Sequence, residues 1–315
     1  MTTVRVEAPA RLHLGMLDPS GGGARRFGGL GVAVSRPAVV VEASAGEGLT
    51  VEGPDAERAL AVARRCREAL GDGPGARVLV LEAIPAHAGL GSGTKLALAV
   101  TSALSALAGR SSDPAALAAI AGRAARSAVG LWTFALGGLV VEGGRRTGSA
   151  EPAPLLMRHA MPDEWRCVLA IPAAEPGLSG GAEEAAFAEL RPDRDRSAEI
   201  AGVVLTGLLP ALVEADLVEF GAALSRIQRL VGDAFAPVQG GTFHPQAAPL
   251  VDALLALGAA GAGQSSWGPA VYGLVGSEAQ GSEVARRLEA ELGTGGHAEV
   301  VRFDNRGARV EEVVA

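Results

Sequence analysis

Residues 85–95 read PAHAGLGSGTK, from Pro85 to Lys95, and lie between a short apolar run, Arg77 to Ala83 (RVLVLEA), and an Ala/Leu-rich stretch from about Thr94 to Leu107. The first flank predicts a buried strand, the second a helix ending at Gly109. Glycines at 89, 91 and 93 permit positive φ and close approach of another backbone. The first N–H groups of the helix have no partner within it and stand at the positive end of its dipole, so this arrangement makes a seat for an anion. Gly89, Leu90, Gly91, Ser92, Gly93 and Thr94 are candidate phosphate contacts; Ser92 or Thr94 can cap the helix or donate to a phosphate oxygen, and Lys95 supplies a point charge. The spacing is neither that of a Walker A loop nor that of a GxGxxG dinucleotide fingerprint. A tight strand-to-helix turn is the rival reading, and His87 in the same loop is a turn residue or a substrate contact.

Working outward, a chain of 315 residues is too long for one ordinary core and predicts two lobes. TVRVEAPARLHLGML alternates as a half-buried strand that breaks at Pro9 and resumes through Leu12 and Leu14, and GVAVSRPAVVVEASA reads as a strand pair turning at Arg36-Pro37. Ala56 to Leu70 predicts a helix closed by Gly71, and Asp113 caps another from about Pro114 to Ser127. A strand follows within GGLVVEGG (137 to 144). Weakly patterned, Pro-containing sequence at 151–162 marks a boundary between lobes 1–155 and 156–315. Beyond it the pattern predicts strands at 166–171, 271–275 and 298–304, and helices within 177–190, 196–230, 245–257 and 278–292. Irregular alternation without a repeat period indicates a two-lobed α+β fold rather than a barrel or solenoid.

With 48% hydrophobic but only 3% aromatic residues, the core must be built from Ala, Val and Leu. A net charge of −7 argues against a nucleic-acid surface, while the overwhelming use of Arg among the cations favours bidentate grips on phosphate or carboxylate where they cluster. Cys66 and Cys167 lie in a helical and a strand context, supporting neither a disulfide framework nor a thiolate metal site. Residues 1–10 lack a signal-peptide core and no uninterrupted apolar run reaches the roughly 20 residues that span a bilayer, so a cytoplasmic protein without membrane contact is expected.

The loop with its helix, PAHAGLGSGTKLALAV (85 to 100), resembles the second motif of the GHMP kinase superfamily, which holds a nucleotide's phosphates. VEAPARLHLGMLD and the late glycine-rich segment around GQSSWGPAVYG (263 to 273) stand in the places of the N-terminal strand and third motif. Within the superfamily, RRFGGLGVAV (25 to 34), RSAVGLWTFALGGLVVEGG (126 to 144), GLSGGAEEAAF (177 to 187) and GQSSWGP are similar to the β-ribofuranosylaminobenzene 5′-phosphate synthase family. The resemblance spans essentially the whole chain and implies an N-terminal lobe like ribosomal protein S5 and a ferredoxin-like C-terminal lobe. Two features depart from the kinases: Trp267 occupies a stretch that they fill with small residues, and Arg126 to Gly138 contains no carboxylate to orient an attacking hydroxyl.

The implied reaction joins phosphoribosyl pyrophosphate to a para-amino- or para-hydroxybenzoate, releasing pyrophosphate and carbon dioxide, with Mg²⁺ accompanying the pyrophosphate, no organic cofactor and a homodimeric state. An ATP-dependent small-molecule kinase is the alternative, and a silent binding module a third. The resemblance makes Arg26, His13, Arg126 and Glu183 the catalytic candidates. Arg11 and His13 border the site on the first strand; Arg123 and Arg126, three apart on the predicted helix, present paired guanidinium groups; Ser179 donates to an anion, and Glu183 is a Mg²⁺ or ribose ligand. Gln264, Ser265 and Ser266 bind substituents of an aromatic substrate walled by Trp267. Surface charge, helix capping and a core Trp are the plainer readings of the same residues. Neither the acid–base residue nor any direct metal ligand is assigned.

Overall fold

In the computed structural model, which describes residues 2–21, 23–71, 75–110, 113–173 and 180–314, two long strands carry the N-terminal half. β1 (Thr2–Asp18) and β2 (Arg25–Ala45) pair antiparallel, with register shifts between Pro9 and Arg11 and between His13 and Gly15. Both are continuous where the sequence predicted interruption. The break expected at Pro9 is absorbed by an irregularity in the ladder, and Arg36-Pro37 lies within β2 instead of turning between two strands. They are followed by β3 (Leu49–Glu52), α1 (Ala56–Leu70), β4 (Ala76–Glu82), α2 (Ser92–Leu107), α3 (Pro114–Ala121), α4 (Val129–Leu136), β5 (Leu139–Glu142), β6 (Arg145–Arg146) and β7 (Leu155–His159). The C-terminal half continues with β8 (Arg166–Ile171), α5 (Gly180–Glu189), α6 (Arg194–Val203), a π-helical turn (Val204–Leu208), α7 (Leu209–Val213), α8 (Leu217–Gln239), α9 (Ala248–Ala256), β9 (Gly261–Gln264), β10 (Val271–Val275), α10 (Glu278–Leu288), β11 (His297–Arg302) and β12 (Arg309–Val314).

The first sheet runs β12-β1-β2-β4-β3, with β5 and β6 on β2 and β7 on β5; the second runs β11-β8-β10-β9. The second order, fourth-first-third-second of its own strands and antiparallel throughout, is ferredoxin-like. β7 stays on the first sheet, and β12 returns from the C-terminal end to pair with β1, so the first sheet draws on both halves of the chain. β8 shows the period of two that makes a sheet serve two cores. Cys167 and Leu169 enter the main core with Tyr272 and Leu274, whereas Val168 and Ala170 join a second cluster with Val271, Val275, Leu254 and Val284. α2, buried from Lys95 to Ser105, threads the main core, as a helix apolar nearly all round must.

The helix after Asp113 is shorter than its pattern predicted. Asp113 caps it by accepting from Ala116 N, but Gly122 takes a left-handed φ of 64° and its N–H closes the helix on Ala118 O and Ala119 O. Arg123 and Arg126 therefore lie in a connector leading to α4 instead of sharing a helix face. The contiguous helical stretch Arg194–Val213 is, by length and composition alone, apolar enough to cross a membrane, with a mean hydropathy of 1.4. It packs against β1 and α8.

Candidate active site

The glycine-rich loop is fastened to the rest of the fold by its carbonyls. His87, Gly89 and Gly91 all have left-handed φ (58°, 87° and 80°). The Gly89 carbonyl accepts from the Arg11 guanidinium and from Ser265 Oγ (2.7 Å), Leu90 O from Arg11 N (3.2 Å), and Ala88 O from Ala270 N (3.2 Å). A Cβ on Gly89 would fall inside the van der Waals shell of the Ser265 carbonyl, and one on Gly268 inside that of Ala88, so this turn and the 265–270 turn need glycine on both sides. Gly91 is the N-cap of α2, and no side chain caps that end; Ser92 and Thr94 leave the first turn open.

Two arginines, Arg58 and Arg123, reach that open turn from outside the loop, and Arg65 stands behind them at Gly122. A Cβ on Gly93 would lie 2.9 Å from Arg58 Nη2 and 3.5 Å from Arg123 Nη2. Partial burial first, and then the neighbouring Arg65 and Arg58, lower the Arg123 pKa. Arg58 keeps a 3.0 Å ion pair with Asp55, and Arg65 donates to Ala121 O at 3.1 Å. Arg58 and Arg65 were not read from the sequence. Their spacing of seven, two turns of α1, was the available signal. Lys95, by contrast, is fully buried: its amine lies 3.1 Å from Thr133 Oγ1 and 5.9 Å from the Phe134 ring centre, beneath the loop instead of presented to an anion upon it. It is the chain's single lysine. Burial chiefly, and Arg11 secondarily, hold its pKa well below 10.5.

Behind the loop, His13 and the 265–267 turn border a small cavity of ≈ 40 Å³, whose lining also includes Met16, Phe235, Gln264 and Ser266. His13 N donates to Ser265 Oγ at 3.0 Å, and Gln264 is clamped by Gln228 Oε1, Ser266 O and His244 N. Trp267 stacks 4.5 Å from Phe235 and 5.5 Å from Phe187, which lies 5.1 Å from Phe27. In a chain with 7 Phe, 3 Trp and 1 Tyr, four rings gather at this one place. Trp267 thus both packs internally and walls a cavity. Burial, then Arg11, depress His13 to about 3, so its imidazole is neutral at physiological pH. Its Nε2 is 3.4 Å from Ser127 Oγ, which donates to the buried Glu142 carboxylate at 3.3 Å. Burial raises the Glu142 pKa against the pull of the Gly144 and Ala128 N–H groups and the Ser127 hydroxyl.

Arg126 adjoins Ser127 and forms a 2.6 Å ion pair with Glu183, its guanidinium 5.1 Å from the Phe187 ring centre. Burial lowers Arg11 to about 10, with the Glu183 charge opposing. Arg11, His13, Arg126, Glu183, Ser265 and Trp267 therefore form one connected neighbourhood with the loop, while His87 is exposed on the loop's outer side. Arg26 lines a separate cleft with Arg126. Ser179 lies outside the described residues. Among the described residues no group of three or more His, Cys, Asp and Glu is placed to hold a metal ion, and the charged groups nearest Gly93 are cations. The loop does not fit a protein-held metal.

This fold and loop define a GHMP-type enzyme: the GHMP kinases N terminal domain matches residues 57–138 and the GHMP kinases C terminal domain residues 208–294. L. major mevalonate kinase in complex with R-mevalonate superposes with a TM-score of 0.72 at 16% identity, over 95% of both chains. β-Ribofuranosylphenol 5′-phosphate synthase from Archaeoglobus fulgidus is 35% identical over 98% of this chain and 99% of its own length, and that from Methanothermobacter thermautotrophicus 31% over 96% and 97%. The chain belongs to the β-ribofuranosylphenol 5′-phosphate synthase family.

Proposed function

We propose that the enzyme condenses phosphoribosyl pyrophosphate with 4-hydroxybenzoate in the cytoplasm, giving a carbon-linked riboside 5′-phosphate, pyrophosphate and carbon dioxide. The phenol in the relatives' name favours the hydroxyl over the amino acceptor. One observation carries the reading: Ser265 joins an anion seat to an aromatic-walled cavity, donating to Gly89 O and accepting from His13 N. The reaction needs that adjacency, a leaving pyrophosphate on one side and a flat ring on the other.

Pyrophosphate departs with the electrons of the C1–O bond, leaving an oxocarbenium-like centre. The ring carbon bearing the carboxylate bonds to it, and the bond to the carboxylate then breaks, returning its electrons to the ring as carbon dioxide leaves. The α2 N-terminus with Arg58 and Arg123 opposes the charge growing on pyrophosphate. Trp267 and Phe235 restrict the ring, and His13 offers an uncharged imidazole in the same cavity. Magnesium enters this reading as a counter-ion brought by the pyrophosphate, with no step through a protein-held metal.

The test supplies phosphoribosyl pyrophosphate, Mg²⁺ and carboxyl-labelled 4-hydroxybenzoate, with 4-aminobenzoate in parallel, and counts carbon dioxide and pyrophosphate. Equal release of both products is expected, faster with the hydroxy acid. ATP consumption with a hydroxyl acceptor, and no labelled carbon dioxide from either acid, would overturn the reading in favour of a kinase.

A further inference from the structure

A second concentration of positive charge lies away from the glycine-rich loop, and it is built into the sheet. β6 pairs with the start of β2 through two successive rungs, Arg25 opposite Arg146 and Arg26 opposite Arg145. Like charges directly across a ladder repel, so two such rungs in a chain of net charge −7 carry an uncompensated cost. Arg26, Arg145 and Arg146 line a cleft of ≈ 470 Å³ together with Arg126. Among the described residues its one lining carboxylate is Glu184, 3.5 Å from Arg126. Among the described residues the guanidinium groups of Arg26 and Arg146 have no hydrogen-bond or ion-pair partner.

The backbone holds this arrangement in place. Arg145 donates to Ala125 O at 2.6 Å and to Ser149 O, yet its buried Nε has no partner. Arg25 donates to Gly144 O at 2.9 Å, and Glu142 Oε2 accepts from Gly144 N at 2.8 Å. Immediately after Arg26, Phe27 adopts a φ of 71°, a left-handed conformation uncommon for an aromatic residue. That kink sends the Phe27 ring onto Phe187. Strain of this kind collects where a site must be held in one geometry.

We propose that Arg26, Arg145 and Arg146 form a second anion site, which takes the terminal phosphate monoester of a phosphorylated sugar whose other end lies at the glycine-rich loop. The proposal rests on the reading of the substrate as a sugar carrying phosphoryl groups at both ends. The connector sets the scale. Arg123, beside Gly93, and Arg126, in the cleft, are three residues apart, so their Cα atoms are separated by at most about 11 Å. A pentose with a phosphoryl group at each end spans a gap of that order. Guanidinium forks suit a phosphate dianion, to which they donate in pairs.

Titration calorimetry of the full chain with ribose 5-phosphate and, separately, with inorganic pyrophosphate tests the assignment. Arg146 is exposed and its guanidinium has no partner among the described residues, so Arg146→Gln, which keeps the backbone pairing, should keep the thermal midpoint. It should weaken ribose 5-phosphate by about tenfold, the loss of a charged hydrogen-bonding partner, and leave pyrophosphate within about twofold. Arg123→Gln should do the reverse. No binding of ribose 5-phosphate to the wild type, unchanged affinity in Arg146→Gln, or equal losses for both anions would each overturn the site. Carbon dioxide release by the wild type separates this from the reaction itself. Release with an unchanged Arg146→Gln affinity removes the site alone; a selective affinity loss in protein that releases none supports the site and removes the reaction.

Discussion

Ser265 Oγ donates to the Gly89 carbonyl over 2.7 Å, and the same oxygen accepts the His13 N–H, so one fully buried hydroxyl joins residues 176 and 252 positions away in sequence. Ser265→Ala strips a donor from one backbone group and an acceptor from another. The expected cost is about 1–3 kcal/mol, because a buried group left without a partner keeps its desolvation penalty. Activity should fall more steeply than that stability change explains. Urea unfolding beside product release measures both, and an unaltered kcat/KM would remove Ser265 from the site's framework.

Trp267 and Phe235 meet at 4.5 Å beside the cavity. Trp267→Leu keeps an apolar plug and should fold, but should raise KM for the benzoate about tenfold while KM for phosphoribosyl pyrophosphate stays within about twofold, since only the ring loses its wall. Equal changes in both constants would make Trp267 a packing residue only.

The depression of His13 from 6.5 to about 3 has a sign that denaturation can read. Between those values the unfolded chain binds a proton that the folded chain refuses. His13's contribution is therefore complete above about pH 6.5 and erodes as pH falls toward 3, by up to about 1.4 kcal/mol per pH unit. His13→Gln should flatten the fall in urea midpoint between pH 7.5 and 5. A wild-type curve already flat there would place a charged imidazole in the fold.

Lys95 should resist acetic anhydride in the native protein at pH 8 and become labelled only in urea, by peptide mass spectrometry. Lys95→Met, which replaces a buried amine by an apolar chain of similar length, should leave stability unchanged or raise it by about 1 kcal/mol or more. Rapid native labelling would show the amine open to solvent.

The local features were legible because each is a short-range rule. Gly71 ends α1 and Asp113 begins α3, and the glycines at 89 and 91 take the positive φ that their spacing promised. What the sequence hid is non-local. β12 and β9 lack a decisive pattern: one is a charged C-terminal edge, and the other, Gly261–Gln264, has no alternating apolar side chains. The helix proposed through Ser127 failed because Gly122, one glycine among 44, closes it, and no composition rule singles that glycine out. For the candidate site, Arg11, His13 and Trp267 were named through the resemblance, and the fold sets them beside the loop. Arg58 and the Arg145–Arg146 pair escaped because nothing near them in sequence says which backbone they will face.

The solitary lysine under the loop also fixes what the rest of the molecule is made of. Every other cationic side chain that could carry charge through neutral pH is a guanidinium, so the exterior carries no side-chain primary amine. Such a surface holds its positive charge at any pH the fold survives. It also offers nothing to aldehydes, acyl donors or Schiff-base chemistry outside the chain terminus. On the proposed reaction, a sugar phosphate freed by hydrolysis of the substrate meets no exposed side-chain amine to condense with, and the one lysine is shielded by the glycine-rich loop above it.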